Sequence, residues 1–391
     1  MSTPVSLSTV IMTHPTRLDR ARALRQRHPE LDMRIVVDPV PDGERCTLRT
    51  AAAAWSAVGD GATHHLVVQD DAVLCDDFAN RLTAALEAYP TDGLALFCEW
   101  GGDTSFMLRL AAVGGIPWVE VTDHYVPSVA LVLPAALGRE FGESASQNLH
   151  EWAKQDDVSL RIFLNHHGVR VVCPVPNLVE HDPGPSLTGN DHMGPRKSAC
   201  FVDDVGPLPD HGTAALLYPM AVPYFSWFSG ETLCVVRDEA HQLGWRPEPA
   251  HTALRHRGLD TRAVTRQAQD EVEQWRLDFP GLPTEPLNRL WITAFLTGVV
   301  LTDDPLRSVT PAGEPLPDGP ALDDLARLDA ALSQPAAARA LATMSQGTLR
   351  TAADPGVLAV LESPLASLVG RSLRLGHEAA VARRDRYRVA R

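Results

Sequence analysis

The sequence predicts an α/β fold: a mixed, mainly parallel sheet with flanking helices over residues 1–205, followed by a mostly α-helical C-terminal domain over 206–391. Three observations predict it. Short apolar runs alternate with amphipathic stretches through the first half, at lengths that suit strand, helix, strand. Some of those runs stop at carboxylates, the position at which open α/β sheets hold ligands. From about Gly206 the apolar residues recur at helical spacing instead, in segments separated by proline-rich breaks such as 310–320.

Taken in order, residues 6–12 (SLSTVIM) read as a first buried strand, ending in the polar turn Thr13-His14-Pro15-Thr16-Arg17. Pro15 and Thr16 suit the start of a helix with Leu18, Ala21 and Leu24 on its apolar face. Residues 33–37 (MRIVV) form a second strand that stops at Asp38, and 46–58 is an alanine-rich helix ended by Gly59-Asp60-Gly61. The organising stretch is 64–78, HHLVVQDDAVLCDDF, in which Leu66, Val67 and Val68 make a strand that stops at Asp70 and Asp71. A helix over 78–89, strands at 94–98, 118–121 and 128–133, a short helix at 134–141 and a strand at 169–173 complete the predicted sheet domain.

Two adjacent carboxylates repel unless a cation or hydrogen-bond donors neutralise them. Asp70 and Asp71 either open a turn and cap the next helix, or hold a hard divalent ion that carries substrate phosphate oxygens. Asp38 ends its strand in the same way, as a cap or as an acceptor for ribose or base hydroxyls. Thr13, His14 and Arg17 fall on that same sheet edge, with Arg17 either solvated or set to meet a diphosphate. Asp156 and Asp157 precede a helical pattern, where the dipole keeps a carboxylate ionised; that serves an N-cap and a general base alike. His181 follows an apolar pair and precedes the loop PGPSLTGN.

Composition narrows the functions. Apolar residues at 45% and charged residues at 21% describe an ordinary globular chain. Residues 1–205 carry 16 Lys+Arg against 27 Asp+Glu, and 206–391 carry 19 against 22, so the front half is acidic and nucleic acid is excluded as the main partner. Six scattered cysteines without a C-x-x-C pair predict free thiols in a reducing compartment. A cytoplasmic location is expected, because the start lacks signal-peptide character and the strongest late apolar run, 291–301, is too short to span a bilayer. No G-x-G-x-x-G follows the first strand and no P-loop or G-x-S-x-G occurs, which sets aside dinucleotide dehydrogenases, P-loop enzymes and serine hydrolases. In the second half, 218–228 (YPMAVPYFSWF) reads as a packed cap after a linker at 205–209, and 232–243 reads as a helix. Arg383, Arg384, Arg386, Arg388 and Arg391 read as a solvated basic helix end.

Four pieces in order, TVIMTHPTR, VVQDDAVLCDDF, QDDVSLRIFL and VPNLVEHDPGPSLTGN, resemble GT-A-fold glycosyltransferases, in particular bacterial relatives of the lipopolysaccharide-type sugar transferases. The resemblance spans about residues 5–190. It implies a GT-A-like sheet, a nucleoside-diphosphate sugar as donor, an unidentified acceptor, and Mn²⁺ or Mg²⁺ held at the end of a strand. By resemblance Asp71 and His181 become metal ligands. Asp70, Thr13, His14, Arg17 and Asp38 would line the donor, and Asp157 or Asp156 would be the base. Gln69 stands where many relatives carry the first acidic residue of the motif. A nucleotidyltransferase, or a degenerate GT-A domain that only binds, are the alternative expectations.

Overall fold

The computed structural model describes residues 4–149, 154–182, 184–187, 189–205, 211–238, 244–279 and 281–389, the side chains of Leu277 and 387–389 excepted. In chain order the elements begin with β1 (Leu7–Thr13), α1 (Leu18–Arg27), β2 (Arg34–Val37), α2 (Thr47–Ser56), β3 (His64–Gln69), β4 (Ala72–Leu74), α3 (Phe78–Ala88) and β5 (Gly93–Ala95). They continue with α4 (Asp103–Gly114), β6 (Trp118–Glu120), β7 (Ala130–Pro134), α5 (Ala135–Gln147), α6 (Asp156–His166), β8 (Val171–Pro174) and β9 (Val179–His181). The chain divides into two compact units that interleave in sequence: Met1–Glu99, Pro117–Asp191 and Phe201–Ala214 form the first, and Trp100–Ile116, His192–Cys200 and Ala215–Arg391 the second.

Seven strands of the first unit form one sheet in the order β6-β8-β5-β7-β3-β1-β2. The pairings β1–β2, β1–β3 and β5–β8 are parallel, whereas β3–β7, β5–β7 and β6–β8 are antiparallel. Five strands therefore run one way and only β6 and β7 oppose them, which is the mixed, mainly parallel sheet expected. Val10, Ile11, Leu66 and Val68 are fully buried in the central strands, each contributing about 1.5–3 kcal/mol of apolar burial. The chain passes from β1 to its neighbour β2, then back across β1 to β3. That reversal of direction marks where α/β sheets take ligands, outside the carboxyl ends of the strands.

The sequence leaves β4 unread. Ala72 and Leu74 are buried around a half-exposed Val73, and β4 pairs antiparallel with β9, Ala72 opposite His181 and Leu74 opposite Val179. The strand expected at 94–98 stops at Ala95.

In the second unit the remaining elements are β10 (Leu216–Leu217), β11 (Ala221–Ser226), β12 (Glu231–Arg237), β13 (Trp245–Pro249), α7 (Ala250–His256), α8 (Thr261–Trp275), α9 (Thr284–Asp303), β14 (Ser308–Val309), α10 (Leu325–Leu332), α11 (Pro335–Leu349), α12 (Pro355–Val360) and α13 (Glu362–Val389). Helices dominate, as expected, but two segments depart from expectation. The stretch 218–228 supplies β11 rather than a cap, and Thr232–Arg237 is strand rather than helix; β11, β12 and β13 make an antiparallel sheet. Thr232, Val235 and Val236 are β-branched and stiff at χ1, and Gly230, at φ +69°, turns the chain between β11 and β12. Residues 239–243 of the expected helix, and the expected linker after Val205, lie outside the described residues.

α4 is a helix that the sequence reading passes over. Its residues Thr104 to Val113 are all buried, so it lacks the polar stripe that periodicity detects. Arg109 donates from Nε to the Ala340 carbonyl at 2.8 Å, and α4 thereby joins α11. α9 and α13 approach so closely that a Cβ at Gly298 would stand 1.9 Å from the Leu373 carbonyl oxygen, and one at Gly376 equally close to that of Phe295. Two of the arginines at the end of α13 are not solvated: Arg383 and Arg384 pair with Asp303, and Arg384 also donates to the Thr302 carbonyl. Arg386 is exposed, as expected, and the Arg388 side chain and Arg391 lie outside the described residues. The carboxylates at the C-terminus of α9 call for cations that also suit its dipole.

Candidate functional site

The carboxyl edge of the first unit's sheet collects the acidic and basic groups that the sequence singles out. Thr13 ends β1, Asp38 follows β2, and Asp70 and Asp71 follow β3. Arg49 near the start of α2 bonds to Asp38, and Asp156 at the start of α6 bonds to Thr47 at the start of α2, so both helix N-termini lie toward this same edge.

Asp70 and Asp71 are both buried, at 7% and 8% exposure, and their repulsion is relieved from three directions. Thr13 donates from Oγ1 to Asp70 Oδ2 at 2.5 Å. Arg17 lies in the turn after β1, and its Nη1 donates to Asp71 Oδ2 at 3.1 Å and stands 3.5 Å from Asp70 Oδ1. His181 Nε2 lies 3.3 Å from Asp71 Oδ2. β4 brings His181 there: it leaves directly from Asp71, pairs with β9, and the Asp182 N–H donates to the Asp71 carbonyl at 2.8 Å. The pairing of the two short strands thus converts a long separation in sequence into a contact.

One atom remains unmatched. Asp71 Oδ1 is buried and has no hydrogen-bond partner. Leaving a carboxylate oxygen so costs free energy unless something absent from the bare chain meets it. Burial pushes the Asp71 carboxyl up, but the His181 hydrogen bond and the charges of His181, Arg17 and Arg20 outweigh it and hold the group below its ordinary value. Burial and the charge of Asp71 push Asp70 the other way, against the hydrogen bond from Thr13. The two neighbours are driven apart, with Asp71 the firmer anion.

The loop after β9 is fastened to the same arginines. Arg17 Nη2 donates to the Pro185 carbonyl, and Arg20 donates to both the carbonyl and the carboxylate of Asp182 at 2.9 Å. Arg20 and Arg49 are residues of this edge that the motifs do not include. Arg20 is legible as the residue three beyond Arg17, on one helix face.

Asp38 is spoken for. Arg49 of α2 donates from Nε to Asp38 Oδ1 and from Nη2 to Oδ2, both at 2.9 Å, and the Val40 N–H adds a third bond. The Arg49 hydrogen bonds hold the Asp38 carboxyl below its ordinary value despite partial burial. His14 caps the turn that carries Arg17: its Nδ1 accepts from the Thr16 N–H at 3.3 Å, which leaves Nε2–H to donate to the Pro41 carbonyl at 3.4 Å. Both residues therefore shape the edge through protein contacts.

Asp156 and Asp157 open α6 and are tied to the start of α2. The Asp156 N–H donates to Thr47 Oγ1 at 3.1 Å, and the Leu48 N–H donates to the Lys154 carbonyl. The Asp157 carbonyl accepts from the Val126 N–H, and the nearby Val129 carbonyl accepts from that of Gln69. The Gln69 side chain donates from Nε2 to Ser128 Oγ at 3.1 Å, so an amide occupies the place of a first carboxylate. In the loop after β9 the Asn190 N–H donates to Ser186 Oγ at 3.0 Å. Thr188 lies outside the described residues.

Among the described residues no group of three or more His, Cys, Asp and Glu side chains is arranged as a ready-made metal cage. None of the six cysteines is in a disulfide. No helix among the described residues is long and apolar enough to cross a membrane. Compared with known proteins, the chain matches no family model and no curated protein.

Proposed function

We propose that the protein is a cytoplasmic GT-A-type glycosyltransferase that moves a sugar from a nucleoside-diphosphate donor to an acceptor hydroxyl, assisted by Mn²⁺ or Mg²⁺. The observation that carries this reading is Asp71 Oδ1, a buried anionic oxygen without a partner at the carboxyl end of β3, with His181 on the other oxygen of the same carboxylate. One carboxylate and one imidazole, completed by donor phosphates, fit a hard divalent ion. A cage of three or more protein ligands is not required for such an ion, because phosphates and water fill its remaining positions.

A bound divalent ion supplies positive charge to the diphosphate as it leaves. Arg17 adds a second cation on the same side, and Thr13 keeps Asp70 turned toward the donor. Asp157 or Asp156 takes the proton from the acceptor hydroxyl as its oxygen bonds to the anomeric carbon and the bond to the diphosphate breaks. Arg17 on Asp71 Oδ2 also supports a metal-independent form of the same reaction, in which the guanidinium alone meets the diphosphate.

Calorimetric titration with UDP, GDP and dTDP, in Mn²⁺ or in EDTA, tests the reading on wild type and Asp71→Ala. Tight binding of one nucleotide, dependent on metal and lost in the variant, is the expected result. Binding indifferent to EDTA favours the metal-independent form. Absence of binding to all three overturns the transferase and leaves a domain that only binds some other ligand.

A further inference from the structure

Arg17 occupies an unusual position for a residue that assists a metal site. Its Nη1 is already on Asp71 Oδ2 and near Asp70 Oδ1, and its Nη2 is on the Pro185 carbonyl. In the free protein this single guanidinium is the nearest fixed charge neutralising the carboxylate pair. A divalent ion arriving at the unpartnered Asp71 Oδ1 must share that carboxylate with a cation a few ångströms away. Two like charges so placed, in a site where the carboxylates are more than nine-tenths buried, repel strongly. A diphosphate changes the balance, because its oxygens give the guanidinium a second anion to pair with.

We propose that Arg17 makes cation and diphosphate binding interdependent: it holds the divalent ion off Asp71 in the free protein and yields the site when an anionic ligand draws it away. This rests on the donor-binding reading above and adds its order of assembly. Metal alone binds weakly, nucleotide alone binds weakly, and each strengthens the other by the same factor, as linkage requires. Such coupling keeps the ion from being held where no donor is present. Three groups carry it: the orphan oxygen, the guanidinium on its twin, and the carbonyl that guides the other nitrogen of that guanidinium.

The test is a set of calorimetric titrations of the full chain with Mn²⁺ alone, with UDP, GDP or dTDP alone, and with Mn²⁺ in the presence of each nucleotide. Wild type, Arg17→Gln, Arg17→Lys and Asp71→Ala are compared, with thermal melts to show that each is folded. In wild type, nucleotide is expected to raise Mn²⁺ affinity by about tenfold or more. Arg17→Gln is expected to bind Mn²⁺ alone about tenfold more tightly, with the enhancement by nucleotide reduced several-fold. Arg17→Lys keeps the charge and is expected to stay close to wild type for Mn²⁺ alone. Unchanged or weaker Mn²⁺ binding in Arg17→Gln overturns the proposal, as does equal tightening in Arg17→Lys, which would point to packing. Tighter Mn²⁺ binding in Arg17→Gln with no nucleotide binding in any variant upholds the competition at Asp71 and defeats the donor reading instead. Mn²⁺ binding that survives Asp71→Ala overturns both.

Discussion

At the C-terminal ends of α9 and β3, arginines face a pair of adjacent aspartates, and they do so to different effect. At the end of α9, Asp303 and Asp304 face Arg257, Arg383 and Arg384, three guanidiniums for two carboxylates. Every oxygen of that pair has an arginine nitrogen within ion-pair distance. At the end of β3, Asp70 and Asp71 share one directly paired guanidinium, and one oxygen of Asp71 has nothing. The first arrangement is complete within the chain and fastens α13 to α9. The second is incomplete within the chain, and the binding site proposed above rests on that incompleteness.

Charge-neutral substitutions at the two pairs separate them. The largest effect belongs to Asp71→Asn, which keeps shape and removes charge. Release of nucleoside diphosphate from the donor is expected to slow by about 10²–10³-fold, with the melting temperature little changed. Asp303→Asn should behave in the opposite way, losing about 2 kcal/mol of stability in urea unfolding because it weakens charge-assisted hydrogen bonds to half-buried arginines, with donor binding retained. If Asp71→Asn destabilises as much as Asp303→Asn, the two pairs are equivalent and the distinction fails.

Gly298→Ala probes the contact that the α9 staple accompanies. Its new methyl meets the Leu373 carbonyl, so about 2 kcal/mol of stability is expected to be lost, read from the shift in denaturation midpoint. Arg49→Lys removes the fork that holds Asp38 and should cost about 1 kcal/mol, with a modest weakening of nucleotide affinity in the same calorimetric assay. The smallest effect is on pH dependence. Burial holds His65, in the first unit, and His377, in the second, below the ordinary value of 6.5. Each is neutral in the fold, so the stability it contributes is full above the unfolded value and is lost as pH falls toward and through the depressed one. Urea midpoints should therefore drop between about pH 7.5 and pH 5, and drop less in His65→Gln.

How much of this was legible beforehand follows from which forces are local. The first three strands, the helices between them and the carboxylates at their ends announce themselves because period and punctuation are local properties. The meeting of Asp71 with His181 was suggested only by resemblance. Its physical cause is the pairing of two three-residue strands, too short to leave a pattern. Arg49 on Asp38 could not be read, since any arginine along α2 is an equal candidate until the helix phase is known. β11 was misread because aromatic and β-branched residues in a proline-rich stretch fit a packed cap as well as a strand, and β12 because the apolar residues of 232–243 also fit helical spacing. α4 was passed over for the opposite reason: uniform burial erases the amphipathic signal. Arg383 and Arg384 looked solvated because their acidic partner lies some eighty residues earlier.

The interleaving of the two units has a consequence for synthesis. α4 leaves the ribosome with residues Asp103–Gly114, but α11, to which Arg109 bonds, is complete only at Leu349. At ordinary elongation rates that is a wait on the order of ten to fifty seconds. Throughout it a helix whose residues from Thr104 to Val113 are destined for burial has none of the α11 surface to pack on, while Pro117–Asp191 must already return to the first sheet. The nascent chain thus carries an apolar segment in the middle of a folding domain until the C-terminal helices are made.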